Sequence, residues 1–122
     1  MFLATQPTIN ELLLQASLLE HLPPAIFVFV FGACVGSFLN VVIYRLPRNI
    51  RLLVPPSSCP VCDHRLRFFR ENIPIIGWFA IKGKCRYCKE PVSFEYPFIE
   101  LLTAVLFLLC YVLCYWVPMN AP

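Results

Sequence analysis

Residues 25–44 read AIFVFVFGACVGSFLNVVIY, twenty residues without one charged side chain, and Arg45 closes the run. A helix crossing a bilayer needs roughly 20 apolar residues, so this stretch reads as a transmembrane helix. A second uncharged run, LLTAVLFLLCYVLCYWV at residues 101–117, meets the same requirement; Phe98 and Ile99 lengthen it if Glu100 sits near the interface. A chain of 122 residues is too small to hide two such segments from water in a soluble core.

Composition agrees with that reading. Hydrophobic residues make up 59% and charged residues 14%, where soluble domains carry about 45–50% and about 25%. Mean hydropathy is +0.70. These values exclude disorder and argue against a water-soluble nucleic-acid binder despite a net charge of +3. Twelve prolines and four glycines argue against a regular all-β design.

The charges are segregated. All ten Lys and Arg lie between Arg45 and Lys89. The loop of residues 45–97 sets those ten against Asp63, Glu71, Glu90 and Glu95, a balance of +6, while the N-terminal tail holds only Glu11 and Glu20. Short basic loops stay on the cytoplasmic side, which predicts N-terminus out, loop in and C-terminus out. The tail lacks the positive n-region of a cleavable signal peptide. Thr8-Ile9-Asn10-Glu11 instead offers a capping box for a short helix through Leu22. Ile9, Leu12, Leu13, Ala16 and Leu19 would lay that helix on the membrane surface. Pro23 and Pro24 are expected to end it and start the first span.

The expected architecture is an α-helical membrane protein, two transmembrane helices flanking a small cytoplasmic Cys₄ zinc-ribbon-like loop, preceded by a short interfacial helix. The expected segments are a tail with the interfacial helix at 1–24, a first transmembrane helix at 25–46 and a cytoplasmic zinc-binding loop at 47–97. A second transmembrane helix at 98–117 and a C-terminal tail at 118–122 follow. No repeat of domain size interrupts this order.

The loop carries Cys59-Pro60-Val61-Cys62 and Cys85-Arg86-Tyr87-Cys88, separated by 22 residues. Each CxxC pair can place two sulfurs on one ion through a knuckle turn, and two knuckles complete a tetrahedral Cys₄ site. Arg65, Arg67, Lys84, Arg86 and Lys89 would favour the thiolates and offset their charge. Gly83 stands where a tight turn would be useful. Two disulfides conflict with a cytosolic loop, and a redox CxxC would need a βαβ context. Four thiolates could also hold an iron–sulfur cluster, although the paired-knuckle spacing suits zinc better. A loop this short buries little core, so metal would supply much of its folding free energy. His64 is expected at the surface or behind the ligands, and Cys34, Cys110 and Cys114 as inert small hydrophobes.

Within the spans, Gly32, Gly36 and Asn40 recur at four-residue spacing beside Ala33 and Ser37, a stripe for close helix packing with Asn40 hydrogen-bonding across it. A catalytic role for the stripe is the weaker alternative. The second span offers mainly Thr103 and Ala104 as small partners near its cytoplasmic end, so the stripe looks under-used for a two-helix protein and suggests further helices that once packed here or come from another chain. Glu100 has two equal readings, a functional carboxylate at the membrane edge or a first-turn acid complementing the helix dipole.

Three segments carry a family resemblance. These are residues 36–47, GSFLNVVIYRLP; the loop motifs Pro56-Ser57-Ser58-Cys59-Pro60-Val61-Cys62, Glu71-Asn72-Ile73-Pro74 and Lys82-Gly83-Lys84-Cys85-Arg86-Tyr87-Cys88; and Tyr96-Pro97-Phe98-Ile99-Glu100-Leu101-Leu102. Together they resemble the N-terminal part of the type IV prepilin peptidases, the leader peptidase and N-methyltransferase family of pilus and type II secretion systems, over residues 25–117. The resemblance implies a multi-pass protein of the bacterial inner membrane with its N-terminus periplasmic. It also implies prepilin or pseudopilin substrates, cleavage of their basic leader, and methylation of the new N-terminal residue from S-adenosylmethionine. The cysteine loop is associated with the methyltransferase half.

The chain departs from the family in its aspartates. The family's peptidase uses two, one in a GxGD motif, whereas Asp63 is the one aspartate here and no GxGD occurs. An aspartic mechanism needs two carboxylates sharing a proton, so no residue of this chain is expected to be catalytic for cleavage. Gly77 also stands where the family often has Ser. No glycine fingerprint for the methyl donor is present; if methylation occurs, Glu100 or Glu95 is a candidate to hold the substrate's α-amine. The expected function is therefore the zinc-loop portion of a prepilin peptidase/N-methyltransferase, truncated or split, with a second chain carrying the peptidase half. The alternative is a non-enzymatic membrane zinc module scaffolding a pilus or secretion assembly.

Overall fold

The computed structural model describes residues 8–53, 57–67 and 71–120. Residues 1–7 and 121–122 of the expected tails, and Pro56 of the loop motif, lie outside the described residues. Helix α1 (Ile9–Arg45) passes through a 3₁₀ turn (Leu46–Arg48) into the loop, which contains the short α2 (Ile76–Ala80). Helix α3 (Glu95–Tyr111) follows, then a π-helical turn (Val112–Trp116) and a closing helical turn (Val117–Asn120). The fold is mostly helical, two long apolar helices with four cysteines between them. Both helical stretches, Ile9–Arg48 and Glu95–Trp116, are long and apolar enough to cross a membrane.

The start of α1 follows the local chemistry of its sequence. Thr8 Oγ1 accepts the Glu11 N–H at 3.4 Å, and Glu11 Oε2 accepts the Thr8 N–H at 2.8 Å, the two halves of a capping box. The helix does not stop at Pro23 and Pro24, however. The expected short helix through Leu22 is the first part of a continuous 37-residue α1, about 55 Å long at 1.5 Å per residue. Proline removes its own N–H and blocks the carbonyl four residues back, yet its fixed φ is itself helical. Two adjacent prolines thus open one local gap, at the carbonyls of Leu19 and Glu20, without forcing an exit. The segment before the gap is also held in place. His21 Nδ1 lies 3.3 Å from the Tyr111 hydroxyl, and its ring meets Tyr115 and Trp116 edge-on.

Helix α3 begins at Glu95, three residues before the expected boundary at residue 98. Pro97 falls in the first turn, where its missing N–H costs nothing, and Ser93 Oγ accepts the Glu95 N–H at 3.2 Å.

The small-residue stripe of α1 packs against α3 at Gly32, Gly36 and Asn40, so it is used within this helix pair. A Cβ on Gly32 would lie 2.9 Å from the Ala104 Cα, and one on Gly36 would lie 2.7 Å from the Glu100 Cα and collide with the Thr103 hydroxyl. Ala104 is 0% exposed. Asn40 Nδ2 donates across the contact to the Tyr96 carbonyl at 3.0 Å. Sequence reading undervalued α3 because its contribution is backbone: where glycine faces a helix, the partner need not be small along its whole length. The outer faces of both helices stay apolar and exposed, including Phe27, Val30, Leu102 and Leu106.

Candidate metal centre

The two CxxC segments fold into the same turn. Cys59 N–H donates to the His64 carbonyl and Asp63 N–H to the Cys59 carbonyl, at 3.0 and 2.9 Å. The second repeats this five-residue pattern, Cys85 N–H to the Glu90 carbonyl at 2.8 Å and Lys89 N–H to the Cys85 carbonyl at 3.0 Å. The fourth residue after the leading cysteine is left-handed in both, Asp63 at φ 53° and Lys89 at φ 62°. Single antiparallel bridges, Ser58 with Arg65 and Lys84 with Pro91, close the two turns at their base. His64 is exposed and stacks on Tyr87 of the other knuckle with ring centroids 3.4 Å apart, so it joins the knuckles rather than the thiols.

Sulfur atoms of Cys59, Cys62, Cys85 and Cys88 lie within 4.8 Å of one another. Cys59 to Cys88 and Cys62 to Cys85 are each 3.8 Å. A disulfide would require about 2.05 Å. A tetrahedral ion with Zn–S bonds of about 2.3 Å has sulfur–sulfur edges of about 3.8 Å, so the four thiols could hold a metal ion and their spacing is consistent with zinc. They stand too close together to surround a multi-iron cluster. Cys34, Cys110 and Cys114 are exposed on the helices and take no part.

Electrostatics within the cluster are uneven. Backbone amides of Cys88 and Tyr87 donate to the Cys85 sulfur and, with the Cys88 and Cys59 thiols, bring its pKa down to about 6. For Cys88, the amide of Glu90 acts downward, but desolvation and the thiols of Cys85, Cys62 and Cys59 push it up to about 12. Within this pair the local hydrogen bonds draw Cys85 toward the thiolate and Cys88 toward the protonated form. Lys82, Lys84, Arg86 and Lys89, with Glu71 among them, line a recess of about 380 Å³ beside Cys85, placing net positive charge where thiolates would gather. Gly83, at φ 65°, turns the chain with Trp78 against it; a Cβ there would lie 2.6 Å from the indole ring. The Trp78 indole N–H donates to the Val92 carbonyl at 3.0 Å.

Between the knuckles and the adjoining ends of α1 and α3 lies a cleft of about 650 Å³, lined by Asn40, Tyr44, Glu71, Trp78, Tyr96 and Glu100 among others. Glu100, 8% exposed, is the sixth residue of α3, which removes the first-turn dipole reading; Glu95 occupies the first turn. Glu100 Oε2 instead accepts the Ile75 N–H at 2.6 Å. Ile75 has φ 64° and ψ −60°, and the Ile76 N–H returns to the Pro74 carbonyl at 2.6 Å, a γ-turn of the rare positive-φ kind. The other candidate, Glu95, is exposed.

Two buried charged residues of this region, Arg45 and Glu71, stand in the sequence inside the family-like motifs, with no role assigned to either. Arg45, at the end of α1, donates from Nη1 to the carbonyls of Arg51 and Leu52, both at 3.1 Å, turning the chain back on the helix. Glu71 is 8% exposed. Its Oε2 accepts the Arg67 N–H at 3.1 Å, while Oε1 is buried without a hydrogen-bond partner among the described residues. Its backbone carbonyl lies 2.5 Å from where a Cβ of Gly77 would stand. The position where the resembling family often has Ser is therefore closed against Glu71 here.

The model of the bacterial peptidase A24 N-terminal domain matches residues 30–114. The prepilin leader peptidase/N-methyltransferase of Myxococcus xanthus is 51% identical over 86 residues, covering 70% of this chain and 25% of that protein. The Aeromonas hydrophila protein of the same name is 40% identical over 103 residues, 65% of this chain and 35% of its own length. The type 4 prepilin-like proteins leader peptide-processing enzyme of Escherichia coli is 42% identical over 98 residues, 66% and 36%. The chain thus spans 25% to 36% of these curated relatives. No solved structure matches it.

Proposed function

This chain belongs to the bacterial peptidase A24 N-terminal domain family, and from that premise we propose that it is the zinc-stabilised, methyltransferase-associated portion of a prepilin leader peptidase/N-methyltransferase. The observation that carries the reading is the four-thiol centre hung between two apolar helices, inside the matched residues. In this proposal α1 and α3 cross the bacterial inner membrane with the basic loop in the cytoplasm and the N-terminus in the periplasm. The apolar outer faces of both helices support lipid or further helices as their surroundings. Cys59, Cys62, Cys85 and Cys88 would hold zinc, which would tie the two knuckles into one unit and so fix the loop against the helix ends, where the cleft opens.

The cleft is this chain's contribution to methylation of a processed pilin. S-adenosylmethionine, the family's methyl donor, supplies an activated methyl group on a positively charged sulfur. Trp78 and Tyr96 both line the cleft, and aromatic rings there would attract such a cation. Leader cleavage belongs elsewhere. Asp63, the one aspartate, is exposed in the first knuckle with its Oδ1 accepting the Ser58 hydroxyl at 3.0 Å, and no second carboxylate shares a proton with it. The peptidase aspartates therefore come from outside these 122 residues, from further residues of the same protein or from a second chain.

The test is a hybrid in which this chain replaces the matching N-terminal part of the Myxococcus xanthus relative, assayed for prepilin cleavage and N-methylation beside the chain alone. The expected result is cleavage and methylation by the hybrid and no cleavage by the isolated chain. Cleavage by the isolated chain would refute the assignment of the peptidase. A zinc-loaded hybrid that cleaves but never methylates would leave the non-enzymatic scaffold as the better account of the loop.

A further inference from the structure

The loop is strongly basic, yet the cleft at its inner side is not. Four carboxylates line it, those of Asp63, Glu71, Glu90 and Glu100, against the guanidinium groups of Arg45 and Arg86. Two of the four, Glu71 and Glu100, are buried. Glu100 is engaged with the Ile75 amide, and Arg45 donates to backbone carbonyls. Glu71 is different, because Oε1 has no partner among the described residues and is shut away from solvent. A carboxylate oxygen in that state has lost its hydration without a replacement, which is unfavourable, and such groups call for an explanation.

We propose that the cleft binds a protonated primary amine carried on an apolar residue, with Glu71 Oε1 as the acceptor of its N–H groups. The vacant feature is a hydrogen-bond acceptor, so the cation that completes it must bring donors. An ammonium has three; a sulfonium has none. The same cleft is also lined by Val41, Ile73, Trp78, Ile81 and Tyr96, an apolar and aromatic surface that takes a hydrocarbon or aromatic side chain attached to the amine carbon. Charge, donor count and apolar neighbourhood together describe the N-terminal residue of a peptide. Identifying that peptide as a processed pilin rests on the function proposed above; the amine site itself does not. It moves the amine contact from Glu100 and Glu95, where the sequence suggested it, to Glu71.

The test uses the zinc-loaded full chain in detergent micelles. Trp78 fluorescence is the readout, in a Trp116→Phe background so that the other indole is silent. The probes are phenylalaninamide and its neutral analogue N-acetylphenylalaninamide. Phenylalaninamide should bind about tenfold or more tightly than the acetylated probe. Glu71→Gln should abolish that preference, and Glu95→Gln should leave it intact. Equal affinity for the two probes, or a preference that survives Glu71→Gln, overturns the proposal. Should Glu71→Gln lose its zinc, the comparison of the two probes on the unsubstituted site decides alone. In the hybrid enzyme, amine-selective binding without methylation upholds the site and removes the methyltransferase reading. Methylation with an unchanged KM for the peptide after Glu71→Gln does the reverse.

Discussion

Replacing Glu100 tests what a buried carboxylate at the start of the second apolar helix is for. Its Oε2 takes the Ile75 N–H at 2.6 Å, and Ile75 sits at φ 64°, ψ −60°. A β-branched residue in that region is a true outlier, and such conformations cost of order 1–3 kcal/mol unless their surroundings over-determine them. Here the surroundings are two hydrogen bonds, the short return from Ile76 to Pro74 and the charge-assisted bond to Glu100. A hydrogen bond to a charged group contributes about 1.5–3 kcal/mol, enough to offset the strain. Glu100→Ala should therefore destabilise the loop by about 2–3 kcal/mol and let the turn at Ile75 relax. Glu100→Gln, which keeps an oxygen acceptor, should cost less, about 1 kcal/mol. If the bond and the strain are coupled, Glu100→Ala should cost distinctly less in an Ile75→Gly background, where positive φ is unstrained. Amide hydrogen exchange at Ile75 reports the bond directly, and thermal unfolding in micelles followed at Trp78 reports the free energy. An Ile75 amide equally protected in Glu100→Ala, with the midpoint unmoved, would show that Glu100 does not hold the turn.

Other consequences follow from the same structure. Gly36→Leu should separate α1 from α3, since even a Cβ there meets the Glu100 backbone at 2.7 Å; a loss of about 1–3 kcal/mol in thermal unfolding is expected, with Ser37→Ala near neutral. One zinc per chain should be found by metal analysis, and Cys59→Ser or Cys85→Ser should abolish it. Chelation should unfold the loop by proteolysis while the far-ultraviolet helical signal of α1 and α3 persists. Zinc uptake by the metal-free chain, followed with a zinc-sensitive dye, should weaken as pH falls through about 6, where Cys85 gains its proton; the depressed pKa places the metal-ready thiolate above that pH and removes it below. Lys89→Gly should stabilise the second knuckle by about 0.5–1 kcal/mol, because Lys89 holds φ 62°, and a raised unfolding midpoint with unchanged zinc stoichiometry would register it.

How much of this was legible in the sequence depends on the range of the force involved. Local chemistry could be read directly: the capping box at Thr8 and Glu11 formed as written, and the CxxC pairs came together because each knuckle is a five-residue turn that places its own sulfurs. Long apolar runs were equally plain. Pro23 and Pro24 look like a stop in the sequence but do not act as one, because their cost falls on two hydrogen bonds and the tertiary contacts of His21 with Tyr111, Tyr115 and Trp116 keep the flanking turns helical. Lys89 and Ile75 were invisible as left-handed positions because neither is a residue type that adopts positive φ readily; only the closure of the surrounding turns imposes it.

Glu71 is the sharpest case of what pattern cannot deliver. In the sequence it is one of four acidic residues in a loop of ten cations, a position where charge counting assigns it to a solvated face. Burial reverses that assignment. Lys82, Lys84, Arg86 and Lys89 are exposed around Cys85, while Glu71, which borders the same recess, and Glu100 are buried, so the loop separates its charge by depth as well as by sign. Net charge governs how a segment sits against a membrane; which ligand it binds depends on the groups left unsatisfied after folding. The +6 of the loop predicts the first and is silent on the second. An acidic cleft inside a basic module is what such a loop must build if its ligand is a cation, because a shell of lysines and arginines would otherwise repel it, and burial of the carboxylates keeps their attraction from being screened away in water.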